Sequence, residues 1–329
     1  MKLLAQSLKS LLERTKLSLD KLLIIGSTGL VGSKLAFAAA GHGFEPYNTQ
    51  NARKSPFPNS TRLNITDRDA TLRLVGEIRP KVIVNTAALT NVDYCETHKE
   101  EAENVNVGGV RNLVEAALIN DCRFIQISTD SVFDGTYGHY TESDTPHPLN
   151  HYSSTKLDAE KVVSRLSNYA ISRPSVIYGW PYESIEAPSA STKPMNFAAF
   201  VLNKFENNEK VRAVRDQYSS PTLADNLAEA LLRLAKSHEN GVFHTAGRSC
   251  VSRQEFVIKL AQVFGYPTSL VEPVFASEFQ QVAPRPKNCC LRVDKAERSL
   301  GMRFLTAEEG IRQMRRQPQP QGDSSDRLC

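Results

Sequence analysis

Near its start the chain reads KLLIIGSTGLVGS, an apolar run that ends in three glycines spaced three apart. Lys21 to Ile25 is short and apolar, so it predicts a strand covered on both faces. Gly26 permits a tight turn. Gly29 lets the backbone approach a bound pyrophosphate. Gly32 lets the next helix pack close to the strand. Thr28, Leu30 and Val31 complete the turn and open that helix, where N–H groups and dipole meet phosphate charge. A strand, glycine turn and helix opening a βαβ unit make a dinucleotide-binding frame, which a glycine triplet alone does not.

The pattern that follows repeats the theme. A helical pattern runs from Ser33 to Gly41, and Phe44 to Asn48 reads as a second strand. Thr71 to Ile78 reads as a helix stopped by Pro80, and Lys81 to Asn85 as a buried strand. Glu101 to Asn120 predicts one helix, Arg123 to Ser128 a strand, Leu157 to Leu166 a helix and Tyr169 to Ser172 a strand. Alternating strands and helices imply an α/β fold, a doubly wound parallel sheet of Rossmann type. After Gly179 the regularity fades. Trp180 to Pro194 reads as a loop, 197–205, 223–235 and 253–264 as helices, and 242–245 as a strand. This part predicts a smaller C-terminal lobe over the carboxyl edge of the sheet, where ligands bind in such folds. The expected organisation is an N-terminal extension (1–20), a nucleotide-binding domain (21–177), a mainly substrate-binding lobe interleaved with it (178–315) and a disordered tail (316–329).

Composition narrows the function. The 329 residues are 40% hydrophobic and 23% charged, with a net charge of +4 that is scattered along the chain. That does not suggest a nucleic-acid surface and suits a small anionic substrate. No apolar run is long enough to cross a bilayer. The six cysteines show no C-x-x-C spacing. They predict a reduced, cytoplasmic protein with neither a disulfide framework nor a metal site. Cys95 and Cys122 read as core or edge residues, and Asp93 and Glu96 as a solvated helix start. The first twenty residues place Leu4, Leu8, Leu11 and Leu12 at helical spacing among basic residues. A transit peptide, a short packed helix and an upstream false start all fit.

Two features speak to chemistry. The acidic residue that would hold an adenosine ribose is missing near 46–51, and Arg53 and Lys54 follow instead. Base in place of acid favours a 2′-phosphate, hence NADPH, with NADH as the other candidate. Further on stands HYSSTK, with Tyr152 and Lys156 one helical turn apart. A lysine beside a phenol lowers its pKa and makes it an acid or base usable near neutrality. Ser128-Thr129-Asp130 and Asn85-Thr86-Ala87-Ala88 both fall at predicted strand ends, on the same edge.

Glycine loop, NTAA, STD and YxxxK, in that order, resemble the short-chain dehydrogenase/reductase superfamily. More narrowly, the chain resembles the dTDP-4-dehydrorhamnose reductase family. GSTGLVGS (26–33), NTAALTNVDYCE (85–96), NVN (104–106), STDSVFDG (128–135), YSSTK (152–156), RPSVIYG (173–179), DQYSSPT (216–222) and RPKNCCL (285–291) carry the resemblance. It implies NAD(P)H-dependent reduction of a 4-keto sugar nucleotide, dTDP-4-dehydro-L-rhamnose to dTDP-L-rhamnose. It implies Tyr152 as proton donor, Lys156 tuning it and holding ribose, and Thr129 holding the ketone oxygen. Gly26, Thr28, Gly29, Leu30, Val31, Gly32, Arg53, Asn64, Ile65, Ala87, Ala88, Asn106, Tyr152 and Lys156 would hold the cofactor. Asp130, Val132, Phe133, Gln217 and Arg285 would line the sugar-nucleotide site. The resemblance also allows a homodimer. Ser153 stands where the family commonly has glycine, and Ser131 where an aromatic is usual.

Two other readings fit parts of the pattern. A non-catalytic NADP-binding subunit, similar to the methionine adenosyltransferase β subunit, would keep the same motifs. An epimerase or dehydratase of the superfamily is disfavoured, because a dehydratase wants an added acid pair and no Glu follows Asp130.

Overall fold

The computed structural model describes residues 19–182 and 196–318. Readings for most of the N-terminal extension, most of the 180–194 loop and most of the tail lie outside them.

Strand β1 (Asp20–Ile25) is buried from Leu22 onward. Successive side chains leave a strand on opposite faces, so one run of leucines and isoleucines feeds two cores. Leu22 and Ile24 join the cluster that holds Leu35, Leu227 and Leu231, while Leu23 and Ile25 join Val75, Leu113 and Val163. Each side chain so buried contributes roughly 1.5–3 kcal/mol. Around β1 stand β2 (Phe44–Gln50), β3 (Ser60–Arg62), β4 (Val82–Asn85), β5 (Arg123–Ile127) and β6 (Tyr169–Arg173). A last strand, Gly241–His244, closes the edge, and the seven-stranded sheet runs last strand, β6, β5, β4, β1, β2, β3, with every pairing parallel. The order reverses between β1 and β4, which opens a crevice at their carboxyl ends.

Helices α1 (Leu30–Ala38), α2 (Arg68–Ile78), α3 (Val92–Thr97), α4 (Lys99–Glu103), α5 (Gly109–Ile119) and α6 (His151–Val163) follow in chain order. The expected single helix over 101–120 is interrupted by a π turn at Asn104–Gly108. There the buried Asn106 bonds Leu89 N (2.8 Å), Leu89 O (3.1 Å) and Thr155 Oγ1 (3.0 Å). Those partners, distant in sequence, hold the turn out of register. Helix α6 starts six residues before the apolar pattern does, because Asn150 caps it by accepting from Ser153 N at 2.9 Å. Its first turn is polar, so hydrophobic periodicity does not see it.

The C-terminal half divides. Residues 224–236 form a helix whose Leu227, Leu231 and Leu234 pack on the α1 side of the sheet. A third core gathers Leu202, Phe205, Phe256, Leu260, Ile311 and Met314 into the smaller lobe. Cys250 and Cys290 form a disulfide across 40 residues of chain. This corrects the expectation of no disulfide, since the partners meet only through folding and have no spacing signature. Cys95, Cys122 and Cys289 are free and buried.

Gly32 shows how close the first turn is packed. An added Cβ there would stand 2.3 Å from the Gly26 carbonyl oxygen, whereas at Gly76, inside α2, it would meet nothing within 4 Å. One substitution should therefore act with opposite sign at the two positions. Gly32→Ala is expected to cost about 1–3 kcal/mol, and Gly76→Ala to gain about 0.5–1 kcal/mol. Urea unfolding of both variants checks this, and equal effects would refute the packing argument.

Candidate active site

Three strand ends and one helix build the site. After β1, Gly26 takes a left-handed φ of 83°, and its amide donates to Thr49 Oγ1 at 3.1 Å. Thr28 is buried beside it. Gly29 is the N-cap of α1, and no side chain caps that end. Among the described residues the amides of Leu30, Val31 and Gly32 therefore have no acceptor, and no acidic residue stands in the first turn. That cradle fits a pyrophosphate. Ala87 closes against Gly26 on the β4 side, with its amide held by Asn85 Oδ1 at 3.0 Å, and Ala88 follows half-buried. Arg53 lies half-buried in the loop after β2, where burial lowers its proton affinity. Its position suits a 2′-phosphate. Asn64 is exposed in the turn before α2, and Ile65 is buried against Gly109. Asn106 does not fit the cofactor role. Its amide is spent on bracing Leu89 and Thr155.

At the end of β5, Thr129 Oγ1 donates to Asp130 Oδ1 (3.1 Å), accepts from Ser131 N (3.2 Å) and lies 3.0 Å from Ser131 Oγ. Ser153 Oγ continues this chain to Ser131 Oγ at 2.9 Å and to Asn150 Oδ1 at 2.8 Å. The two serines that depart from the resembled pattern are thus bonded to each other. Asp130 is buried, and Ser175 donates to its other oxygen at 2.5 Å. Burial pushes its carboxyl up despite those bonds. Ser175 is followed by Val176, whose φ of 37° is unusual for a β-branched residue. Its carbonyl accepts from Thr222 N at 3.2 Å, and the adjoining Ile177 pairs with Thr222.

Tyr152 lies half-buried in the first turn of α6, facing Thr129, Asp130 and Cys95. The expectation that Lys156 lowers its pKa is overturned. Burial, reinforced by the Asp130 charge, holds the phenol well above its ordinary value, while Thr129 pulls it down. Lys156 is buried and donates to the Ile127 carbonyl at 2.6 Å. Burial lowers its pKa to about 8, with the Glu160 charge opposing. One turn below, Glu160 accepts from Ser128 (2.5 Å) and from Arg173 (2.9 and 2.6 Å).

Val132 and Phe133, expected to touch substrate, are 0% and 1% exposed. Phe133 stacks on Tyr140 and lies under Arg173, so both residues belong to the core beneath the site. Gln217 is buried at the cleft and accepts from Arg253 N at 3.2 Å. Arg285 pairs with Asp93 at 3.0 Å. Glu96 accepts from His151 N at 2.9 Å. Asp93, in the first turn of α3 with its side chain 42% exposed, and Glu96 thus also bond the site's walls. Sequence reading missed Asn150 and Glu160, polar residues with distant partners. Among the described residues, no three His, Cys, Asp or Glu side chains cluster as a metal site. No helix there is long and apolar enough to cross a membrane.

Residues 20–319 match the family model described as RmlD substrate binding domain. The chain is 30% identical over 308 residues to dTDP-4-dehydrorhamnose reductase of Aggregatibacter actinomycetemcomitans, covering 90% of this chain and 98% of that protein. It is 32% identical over 298 residues to methionine adenosyltransferase 2 subunit beta of Rattus norvegicus, covering 87% and 84%. The crystal structure of the Bacillus anthracis dTDP-4-dehydrorhamnose reductase in complex with NADP superposes with a TM-score of 0.78. Identity there is 27%, covering 90% of this chain and 98% of that one.

The lysine makes a stability prediction. Its folded pKa of about 8 lies below the ordinary 10.5, so folding disfavours its charge. That penalty is fully present below about pH 8 and fades as pH rises toward 10.5. Lys156→Met should therefore be more stable than the parent at pH 7, by about 1–3 kcal/mol, with the gain shrinking above pH 9. The Ile127 carbonyl keeps a donor in Gln126 Nε2 at 2.8 Å. Urea unfolding at the two pH values tests this, and a destabilised variant at pH 7 would contradict it.

Proposed function

The chain belongs to the RmlD substrate-binding-domain family, and on that premise we propose an NADPH-dependent reductase of a 4-keto sugar nucleotide. The substrate is dTDP-4-dehydro-L-rhamnose and the product dTDP-L-rhamnose. The observation that carries this reading is Tyr152 facing Thr129 beside Lys156, at the carboxyl edge that the glycine cradle also borders.

The glycine cradle would hold NADPH, which when bound would supply the hydride for the ketone carbon. Thr129 holds the ketone oxygen. Tyr152 gives that oxygen its proton, and its raised proton affinity keeps it in the acid form at neutral pH. Lys156 is anchored by one N–H on the Ile127 carbonyl and keeps two for the ribose hydroxyls and the phenol. Gly26, Gly29 and Gly32 hold the pyrophosphate, with Arg53 at the adenosine ribose. Asp130, Gln217 and Arg285 meet the sugar nucleotide. A cytoplasmic setting and a homodimer accompany this reading, with no nucleic acid or membrane involved.

A second reading draws on the 32% identity to the rat methionine adenosyltransferase β subunit. In it the site binds NADP as part of a regulatory subunit, and Tyr152 turns nothing over.

Absorbance-monitored NADPH oxidation with a dTDP-4-keto-6-deoxy sugar separates the two. The reductase reading expects turnover, with Tyr152→Phe lowering kcat by roughly 10²- to 10⁴-fold and leaving NADPH affinity nearly unchanged. NADPH binding without turnover, on this and other 4-keto sugar nucleotides, would favour the regulatory reading.

A further inference from the structure

Five side-chain oxygens form an unbroken row between the end of β5 and the cap of α6. Asp130 Oδ1 lies 3.1 Å from Thr129 Oγ1, which lies 3.0 Å from Ser131 Oγ. Ser131 Oγ lies 2.9 Å from Ser153 Oγ, which lies 2.8 Å from Asn150 Oδ1. Ser131 is half-buried, and the other four residues are buried. These are hydrogen-bond distances, and two oxygens so close repel unless a hydrogen lies between them.

The row is short of hydrogens. Asn150 supplies none. Its Oδ1 accepts from Ser153 N at 2.9 Å while its Nδ2 donates to Pro284 O at 3.0 Å, so a flipped amide would lose both bonds. Thr129, Ser131 and Ser153 carry one hydroxyl hydrogen each, and an ionised Asp130 only accepts. Four contacts then share three hydrogens, and one contact is left with facing lone pairs. A proton on Asp130 Oδ1 supplies the fourth. Asp130 then donates to Thr129, reversing the bond that Thr129 gives an ionised carboxyl. Thr129 donates to Ser131, Ser131 to Ser153 and Ser153 to Asn150, and every contact is filled. Oδ2 is not the place for that proton, because Ser175 Oγ donates to it and itself accepts from Ser220 N at 3.1 Å.

The surroundings agree with the count. Burial favours the neutral carboxyl and outweighs the bonds from Ser175 and Thr129. The titratable groups that face Asp130 are Tyr152, Cys289 and Arg253. Burial keeps the phenol and the thiol neutral as well. Arg253 favours the carboxylate, by less than burial opposes it.

We propose that Asp130 is a neutral carboxylic acid at neutral pH, and that its proton completes the row of hydroxyls that positions Thr129. The consequence for catalysis rests on the reductase reading of the site. An ionised Asp130 would claim the Thr129 hydrogen for itself. A neutral one donates to Thr129 and leaves that hydrogen free to turn to the ketone oxygen. It also removes a negative charge that would oppose the phenolate left when Tyr152 gives up its proton. Asp130 is here a positioning residue that acts through Thr129.

Infrared difference spectra of the full chain at pH 7, parent minus Asp130→Asn, test the assignment. The expected result is a protonated-carboxyl C=O band, present in the parent alone and shifted in D₂O. Loss of carboxylate bands instead overturns the proposal. Ser153→Ala tests the row with Asp130 intact, and serves if the Asn variant does not fold. It removes two contacts and one hydrogen, so the two remaining hydroxyl hydrogens fill the two remaining contacts. The carboxyl band is expected to titrate away about one pH unit lower in this variant, a roughly 10-fold loss of proton affinity. An unmoved midpoint would show that the row does not hold the proton. With a dTDP-4-keto-6-deoxy sugar, Asp130→Asn should keep about 10-fold more kcat than Asp130→Ala, because its amide still donates to Thr129. Equal kcat in the two would overturn the positioning role, and unchanged NADPH affinity reports that each variant is folded. The carboxyl band without turnover of any 4-keto sugar nucleotide would support the neutral acid and fell the reductase reading. Turnover in a parent that lacks the band would do the reverse.

Discussion

The buried ion pair of Arg173 with Glu160 ties helix α6 to the sheet, and most of the site hangs from it. Arg173 ends β6 and Glu160 lies on α6, one turn below Lys156, with side chains 4% and 6% exposed. Ser128, at the end of β5, donates into the same carboxylate. Three elements thus meet in one charged cluster, and the guanidinium rests over Phe133, which stacks on Tyr140. Such a pair contributes little net stability over apolar residues of the same shape, yet removing one partner costs about 3–5 kcal/mol because a charge is stranded. Its value here is register. It sets the helix at one height against the strand ends, which decides where Tyr152 stands relative to Thr129.

The glycine turn after β1 was legible in the sequence because backbone sterics build it. A glycine triplet after an apolar strand has few physical uses, and any side chain at Gly32 would strike the Gly26 carbonyl. The parallel sheet was legible for a related reason. Strands buried on both faces are continuous apolar runs, and 21–25, 81–85 and 123–128 all announce themselves. The second half of the chain hid more. Val211–Val214 and Val271–Val274 pair in parallel as a two-stranded sheet, four residues each, without the length that makes a pattern readable.

What the sequence concealed was electrostatics and long-range polar pairing. The i, i+4 spacing of Tyr152 and Lys156 suggested a charge acting on a phenol. The fold instead half-buries the phenol, buries the lysine, gives its ammonium to a carbonyl and places the Asp130 carboxyl near the hydroxyl. Desolvation then outweighs the lysine, and the phenol is stabilised as an acid. For a donor in ketone reduction that is the useful direction. Phe133 misled for another reason. Adjacent residues in a short 3₁₀ turn point to different sides, so a motif with one residue at the site can place its neighbours in the core.

Segment 283–291 explains why the substrate half depends on contacts no local pattern reveals. Pro284 O accepts from Asn150, the cap of α6, at 3.0 Å, and Ala283 N donates to Asp93. Asn288 N reaches Gly135 O, Cys289 N reaches Tyr218 O, and Cys290 is bonded to Cys250. One stretch of nine residues therefore touches the helix that carries Tyr152, the turn after Thr129 and the wall that carries Gln217 and Arg253. The Asn150 side chain faces both ways, accepting from Ser153 and donating to Pro284. A change in this segment that accommodates a different sugar must therefore also move the cap of α6, and with it the hydroxyl of Tyr152. On the proposed reading, binding and proton donation are then mechanically one unit, and substrate choice is constrained by the position of Tyr152 as much as by the shape of the cleft.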